Sequence, residues 1–130
     1  LHICQPGFYF DSYSKDGVFT VTVVNIGRVK VYIAKIGLYW QDEDDSTGLG
    51  MTPVSWHTGI DPKATISIEP GEGIEFIIRN FTNDNIEDAL SNKIWISVSS
   101  YKGELARMEG ESIKFAIVSL MEYRKRLAGL

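Results

Sequence analysis

The sequence predicts an all-β fold, an antiparallel sandwich of about seven strands followed by a C-terminal amphipathic helix. Three observations carry that reading. Short apolar runs that alternate with a period of two recur between residues 18 and 101, turn residues separate them every ~8 to 12 positions, and no crossover-length helix stands between them. Such spacing favours antiparallel strands over any parallel α/β arrangement.

The first run, Val18 to Val24 (VFTVTVV), places Phe19, Val21 and Val23 on one face and Val18, Thr20 and Thr22 on the other. Asn25-Ile26-Gly27-Arg28 supplies turn residues, and a second run, Val29 to Trp40, follows at hairpin distance. Within it the alternation of Val29, Val31 and Ile33 slips to Ile36, Leu38 and Trp40, so a bulge near Ala34-Lys35 is expected. Gln41 to Pro53 contains the acids Asp42 to Asp45, then Ser46, Thr47, Gly48 and Gly50, and reads as a long exposed loop. Val54 to Trp56 reads as a short edge strand. Ala64 to Ile68 and Gly73 to Arg79 alternate on either side of Glu69-Pro70-Gly71-Glu72, whose Pro and Gly fit a type II turn and predict a hairpin.

Farther on, Ile86 to Leu90 fits one helical turn. Lys93 to Tyr101 predicts a strand whose Ile94, Ile96 and Val98 oppose Trp95, Ser97 and Ser99, with the serine face toward water, and Leu105 to Met108 predicts its return. From Ile113 onward Ala116, Ile117, Leu120, Met121 and Leu127 recur at helical spacing, with Ser112 as N-cap and Arg124-Lys125-Arg126 favouring the C-terminal dipole. A strand remains an alternative for residues 112 to 118, because Ile113, Phe115 and Ile117 also alternate. The expected division is a sandwich over residues 1–111 and a helix over 112–130 packed on the same domain.

Composition bounds function. A chain of 130 residues with 44% hydrophobic and 23% charged side chains can close one core without disulfide or metal staples. Cys4 is the sole cysteine, so no intrachain disulfide can form. A net charge of −4 with no basic face among the strands argues against nucleic acid. No segment reads as a membrane span or signal peptide, and a start at Leu1 leaves an upstream anchor open.

The combination of Asn25-Ile26-Gly27-Arg28 after the first strand with Glu69-Pro70-Gly71-Glu72 before Phe76 resembles the N-x-G and P-G-E pattern of bacterial, archaeal and phage immunoglobulin-like modules. The match spans roughly residues 18 to 101. It is similar to the cell-adhesion-related repeats of surface proteins, and implies an immunoglobulin-like sandwich without catalytic residues. The residues 41–53 and the C-terminal helix depart from that pattern.

Constellations that could carry chemistry are few. His2 and His57 stand in no metal-binding motif, no phosphate loop or nucleophile elbow occurs, and Cys4 has only His2 close in sequence. Asp42, Asp44 and Asp45 could offer oxygens to calcium, but Thr47 stands where a calcium loop needs glycine and Pro53 where it needs glutamate. Tyr39, Trp40, Trp56 and Trp95 could form an aromatic platform for sugar rings, although Trp40 and Trp95, inside strands, are expected in the core. Trp56 with His57 is the candidate partner-binding anchor, and Arg124, Lys125 and Arg126 a candidate docking cluster. Asn80-Phe81-Thr82 fits the N-glycosylation sequon.

The sequence therefore predicts no cofactor and no enzyme. It predicts a structural or protein-interaction module of a microbial cell-surface or virion assembly, acting through a protein partner or self-association in an extracytoplasmic or virion setting. A carbohydrate- or calcium-binding module is the alternative.

Overall fold

A computed structural model describes residues 1–9, 17–42, 45–53, 66–78 and 80–129. Its strands are β1 (His2–Ile3), β2 (Gly7–Tyr9), β3 (Val18–Val24), β4 (Val31–Ile33), β5 (Lys35–Asp42), β6 (Asp45–Gly50), β7 (Thr52–Pro53), β8 (Ile66–Ile68), β9 (Gly73–Ile78), β10 (Lys93–Ser100) and β11 (Gly103–Glu109). Two helices, α1 (Asn83–Leu90) and α2 (Glu111–Ala128), complete the described chain. Every strand pairing is antiparallel.

One sheet runs β1-β3-β9-β7, with β2 also paired to β3; the other runs β11-β10-β5-β6; β4 and β8 form a separate pair. The two larger sheets pack face to face as a β-sandwich. Phe19, Val21, Val23, Phe76 and Ile78 from one meet Ile36, Leu38, Trp40, Ile94, Ile96 and Val98 from the other in a single buried cluster. The period-two alternation produces this directly, since every second side chain of a strand points inward.

The helices close one end of the sandwich. Thr82 caps α1, its hydroxyl accepting from the Asn85 N–H at 3.2 Å. Asp88 on α1 then accepts a 2.6 Å hydrogen bond from the buried Trp40 indole N–H, satisfying the only polar atom of a fully buried side chain. Residues 112 to 118 are helical: α2 buries Ile113, Ala116, Ile117 and Leu120 and turns Phe115 outward, a pattern of period 3.6. The helical stripe is thus covered by the chain's own core.

Several expectations are corrected. β3 and β4 form no hairpin, because β9 and β1/β2 occupy both sides of β3 and the chain crosses to pair β4 with β8. The turn at Glu69 to Glu72 is as expected, with Gly71 at φ 81° and the Glu72 N–H bonded to the Glu69 carbonyl at 3.0 Å. Its flanking strands nevertheless go to different partners, β8 to β4 and β9 to β3 and β7.

The expected loop at 41–53 contains β6 and β7. The edge of β5 offers unpaired backbone groups that β6 satisfies, with Asp42 and Asp45 as the last register partners of the pair. Gly110, at φ 114° and without a side-chain cap, occupies the N-cap position of α2, and Ser112 lies inside the helix. Eleven described strands replace the expected seven or so, because short segments pair where the apolar pattern is silent. The expected edge strand Val54 to Trp56 lies outside the described residues.

Candidate functional site

Asn25 is 1% exposed, and each of its polar groups is bonded. Its side-chain Nδ2 donates to the Val29 carbonyl at 2.8 Å and to the Ile68 carbonyl at 2.9 Å, while Oδ1 accepts from the Gly27 N–H at 3.0 Å. On the backbone, the Asn25 N–H donates to the Glu72 carbonyl at 2.9 Å and the Gly71 N–H donates to the Asn25 carbonyl at 2.7 Å. One buried amide therefore ties the Asn25 to Gly27 turn, the start of β4, the end of β8 and the Glu69 to Glu72 turn into one unit. The N-x-G and P-G-E motifs, more than forty residues apart, are two halves of this staple.

What the staple holds outward is apolar. Ile26 and Val29 are 71% and 74% exposed, and Tyr32 follows on β4. The β10–β11 turn lies at the same end, because the Ala34 N–H donates to the Ser99 carbonyl at 2.8 Å and joins the end of β4 to the end of β10. That turn presents Tyr101, and Leu105 stands out at the β11 bulge, where the register against β10 shifts between Val98 and Ser99. Among the described residues, five of the six large exposed apolar side chains thus belong to this end, and Phe115 on α2 is the exception.

The end carries both signs of charge. Lys30 pairs with Glu69 at 3.2 Å, stands 5.7 Å from the centre of the Tyr32 ring, and has its ammonium pKa raised chiefly by the hydrogen bond to Glu69. Arg28, Glu72 and Lys102 are exposed around it. Exposed apolar side chains on short stapled turns, set among charges of both signs, are suited to docking a macromolecular surface because little freedom is lost on binding.

The residues singled out in the sequence lie elsewhere. Trp56 and His57, and Asp44 of the acidic run, are outside the described residues. Asp42 and Asp45 are backbone register partners in the β5–β6 pair, and among the described residues no group of three or more His, Cys, Asp or Glu side chains gathers to hold a metal. Arg124 donates from Nη1 to the Phe81 carbonyl at 2.5 Å and to Asn83 Oδ1 at 3.1 Å, which docks α2 on the entry to α1. Lys125 and Arg126 are exposed in the last turn of α2.

Trp40 is in the core as expected, but Trp95 is half-buried on the outward face of β10 beside Tyr39, since it alternates with the inward Ile94 and Ile96. The serine face is not simply hydrated either: the Ser97 hydroxyl donates to Glu104 at 2.6 Å. The sequon's Thr82 serves as the cap of α1, with Phe81 buried.

Ile26 and Val29 escaped sequence reading because one stood in a turn and the other in an expected strand. The signal that could have found them is a bulky β-branched residue inside the Asn25 to Arg28 turn and a second one directly after it.

No family model matches the sequence, and no curated protein does. The chain is similar in structure to a chain of the archaellum periplasmic stator protein complex FlaF and FlaG from Sulfolobus acidocaldarius. That likeness covers 82% of this chain and 89% of the other, at a TM-score of 0.41 and 13% sequence identity. Among the described residues no helix is long and apolar enough to cross a membrane.

Proposed function

We propose that this protein is a non-catalytic interaction module, an immunoglobulin-like sandwich that docks a protein partner, or a second copy of itself, through its apolar end. The observation that carries the reading is the gathering of Ile26, Val29, Tyr32, Tyr101 and Leu105 at one end, the first two at more than two-thirds exposure on turns fixed by a buried asparagine. Exposed side chains of this size are commonly scattered singly; a cluster of them on rigid turns marks a contact surface. The helix α2 belongs to the same domain as residues 1–111, and the surroundings of such a module are the cell surface or a virion, as the N-x-G and P-G-E resemblance implies.

The test is a double substitution, Ile26→Asp with Val29→Asp, which leaves every bond of Asn25 in place. Self-association is read by sedimentation velocity at two concentrations, and partner docking by cross-linking from position 26 in the native cell. Loss of the complex with an unchanged melting temperature supports the reading. A complex that survives the double substitution contradicts it.

A further inference from the structure

A strand at the edge of a sheet carries a row of unpaired N–H and C=O groups, and folded proteins blunt such rows with charges, bulges, proline or brevity. Most of the described edges are blunted in that way. β1 has two residues, and β7 has two, of which the second is Pro53. β2, β4 and β8 have three each. β11 is longer, but its register against β10 shifts at Val98 and Ser99, and it bears Glu104, Arg107 and Glu109. β6 is different. It spans six residues at one end of the β11-β10-β5-β6 sheet, and from Ser46 to Gly50 it has no ionisable side chain, no proline and no shift of register against β5.

The register fixes which of its groups point outward. The Met51 N–H donates to the Ile36 carbonyl at 2.9 Å, which makes Ile36 and Met51 a hydrogen-bonded pair in line with Gly37 opposite Gly50. Bonded and non-bonded pairs alternate along an antiparallel ladder, so Leu49 and Thr47 turn their main-chain groups toward Leu38 and Trp40. The N–H and C=O groups of Ser46, Gly48 and Gly50 therefore point away from β5. All three residues are exposed, and a glycine has only main chain to expose. The Tyr39 ring lies over Gly48, where any Cβ would strike it, so the exposed part of Gly48 is the strand edge and not the sheet face. A Cβ on Gly50 would meet nothing within 4 Å. The row is open where a further strand would enter.

We infer that the outer edge of β6 pairs with the β6 edge of a second copy of this chain, joining two four-stranded sheets into one across a two-fold axis at Gly48. The strand is complementary to itself. In antiparallel pairing about Gly48 the outward groups of Ser46 meet those of Gly50 in the other copy, those of Gly48 meet their own counterparts, and no donor or acceptor of the row is left over. Thr47 then falls opposite Leu49, and Asp45, the one ionisable residue of the strand, falls opposite Met51, so no like charges meet. An extended peptide would find the same hydrogen bonds, but strand addition gains its selectivity from side-chain pockets along the edge, and a row of serine and glycine supplies no side chains to build them. Each copy offers one such edge among its described strands, so pairing closes at two copies and does not run on as a fibre. One strand per copy is a small contact, and the dimer therefore depends on concentration.

The experiment is sedimentation velocity at two concentrations, with amide hydrogen exchange, on the full chain carrying Ile26→Asp and Val29→Asp, which silences the apolar end. Expected are a dimer at the higher concentration and Gly48 and Gly50 amides whose exchange slows as the dimer forms. Gly50→Pro and Ser46→Pro each remove one outward donor and leave the bonds to β5 in place, a position for proline that edge strands tolerate. Each should abolish the dimer while the amide spectrum away from β6 stays unchanged. Conversely, the docking end is read in the Gly50→Pro background, so the two surfaces succeed or fail separately. A monomer at both concentrations overturns the inference, as does a dimer that survives both proline variants or leaves the Gly48 and Gly50 amides exchanging freely.

Discussion

Replacing Asn25 with alanine removes three side-chain hydrogen bonds at once, to Val29, Ile68 and Gly27. At about 1 kcal/mol net for each, the loss is about 3 kcal/mol. The backbone bonds to Glu72 and Gly71 do not depend on the side chain and remain available. For a chain of this size the melting temperature should fall by roughly 10 °C. Asn25→Asp keeps the acceptor for Gly27 but turns a carboxylate toward two carbonyl oxygens, so at neutral pH it should cost at least as much as alanine. Urea denaturation is the assay: the midpoint should move while the dependence on urea stays constant, since the same surface is exposed on unfolding. The neighbouring Ile26→Ser should change stability by less than about 0.5 kcal/mol. A loss below about 1 kcal/mol for Asn25→Ala would refute the staple.

Further outcomes follow from other contacts. Trp40→Phe and Asp88→Ala each break the 2.6 Å indole–carboxylate bond and should cost about 1.5 to 3 kcal/mol, with the double variant well short of additive in a denaturation cycle. Trp40→Ala should cost about 3 to 5 kcal/mol by opening the core, whereas Trp95→Ala, on the outward face, should cost clearly less; equal unfolding midpoints would place both rings wrongly. Gly48→Ala should destabilise by about 1 to 3 kcal/mol by lifting the Tyr39 ring, and much less in a Tyr39→Ala background. The Glu104 carboxyl is held below its usual range, first by the Ser97 hydroxyl and then by Arg107. Its contribution should be complete above about pH 4.5 and fade as the pH falls through the lowered folded value, and Glu104→Gln should flatten that acid limb in a stability–pH profile.

Much of the architecture was legible because period-two alternation is a direct imprint of burial. The inward set of Phe19, Val21, Val23, Ile36, Leu38, Trp40, Ile94, Ile96 and Val98 follows from it without further information. Pairing was less legible. The phase slip at Ala34-Lys35 was read as a bulge within one strand, and it marks the point where the chain leaves β4 and enters a different sheet. Turn residues look alike whether the strands they join pair with each other or part, so the hairpins inferred at Asn25 to Arg28 and at Glu69 to Glu72 were misassigned, while the Glu69 to Glu72 turn itself and the return of β11 along β10 were right.

β6 was missed because a Ser-, Thr- and Gly-rich edge strand is held by its neighbour's hydrogen bonds and carries little apolar signal of its own. Trp95 was misplaced by giving its bulk more weight than its parity: it alternates with Ile94 and Ile96, and parity alone would have turned it outward. The docking end was invisible for a different reason. Its rigidity comes from hydrogen bonds between Asn25 and residues as distant in the chain as Ile68, Gly71 and Glu72, and no local pattern encodes these.

The central claim is that the stapled turns present a docking surface. A photo-reactive phenylalanine analogue placed at position 26, and for comparison at Glu87 on α1, tests it most directly in the native cell. The account predicts a discrete protein adduct from position 26, abolished by Val29→Asp, and none from position 87. Adducts equal from both positions, or none from position 26 in folded and expressed protein, would contradict it.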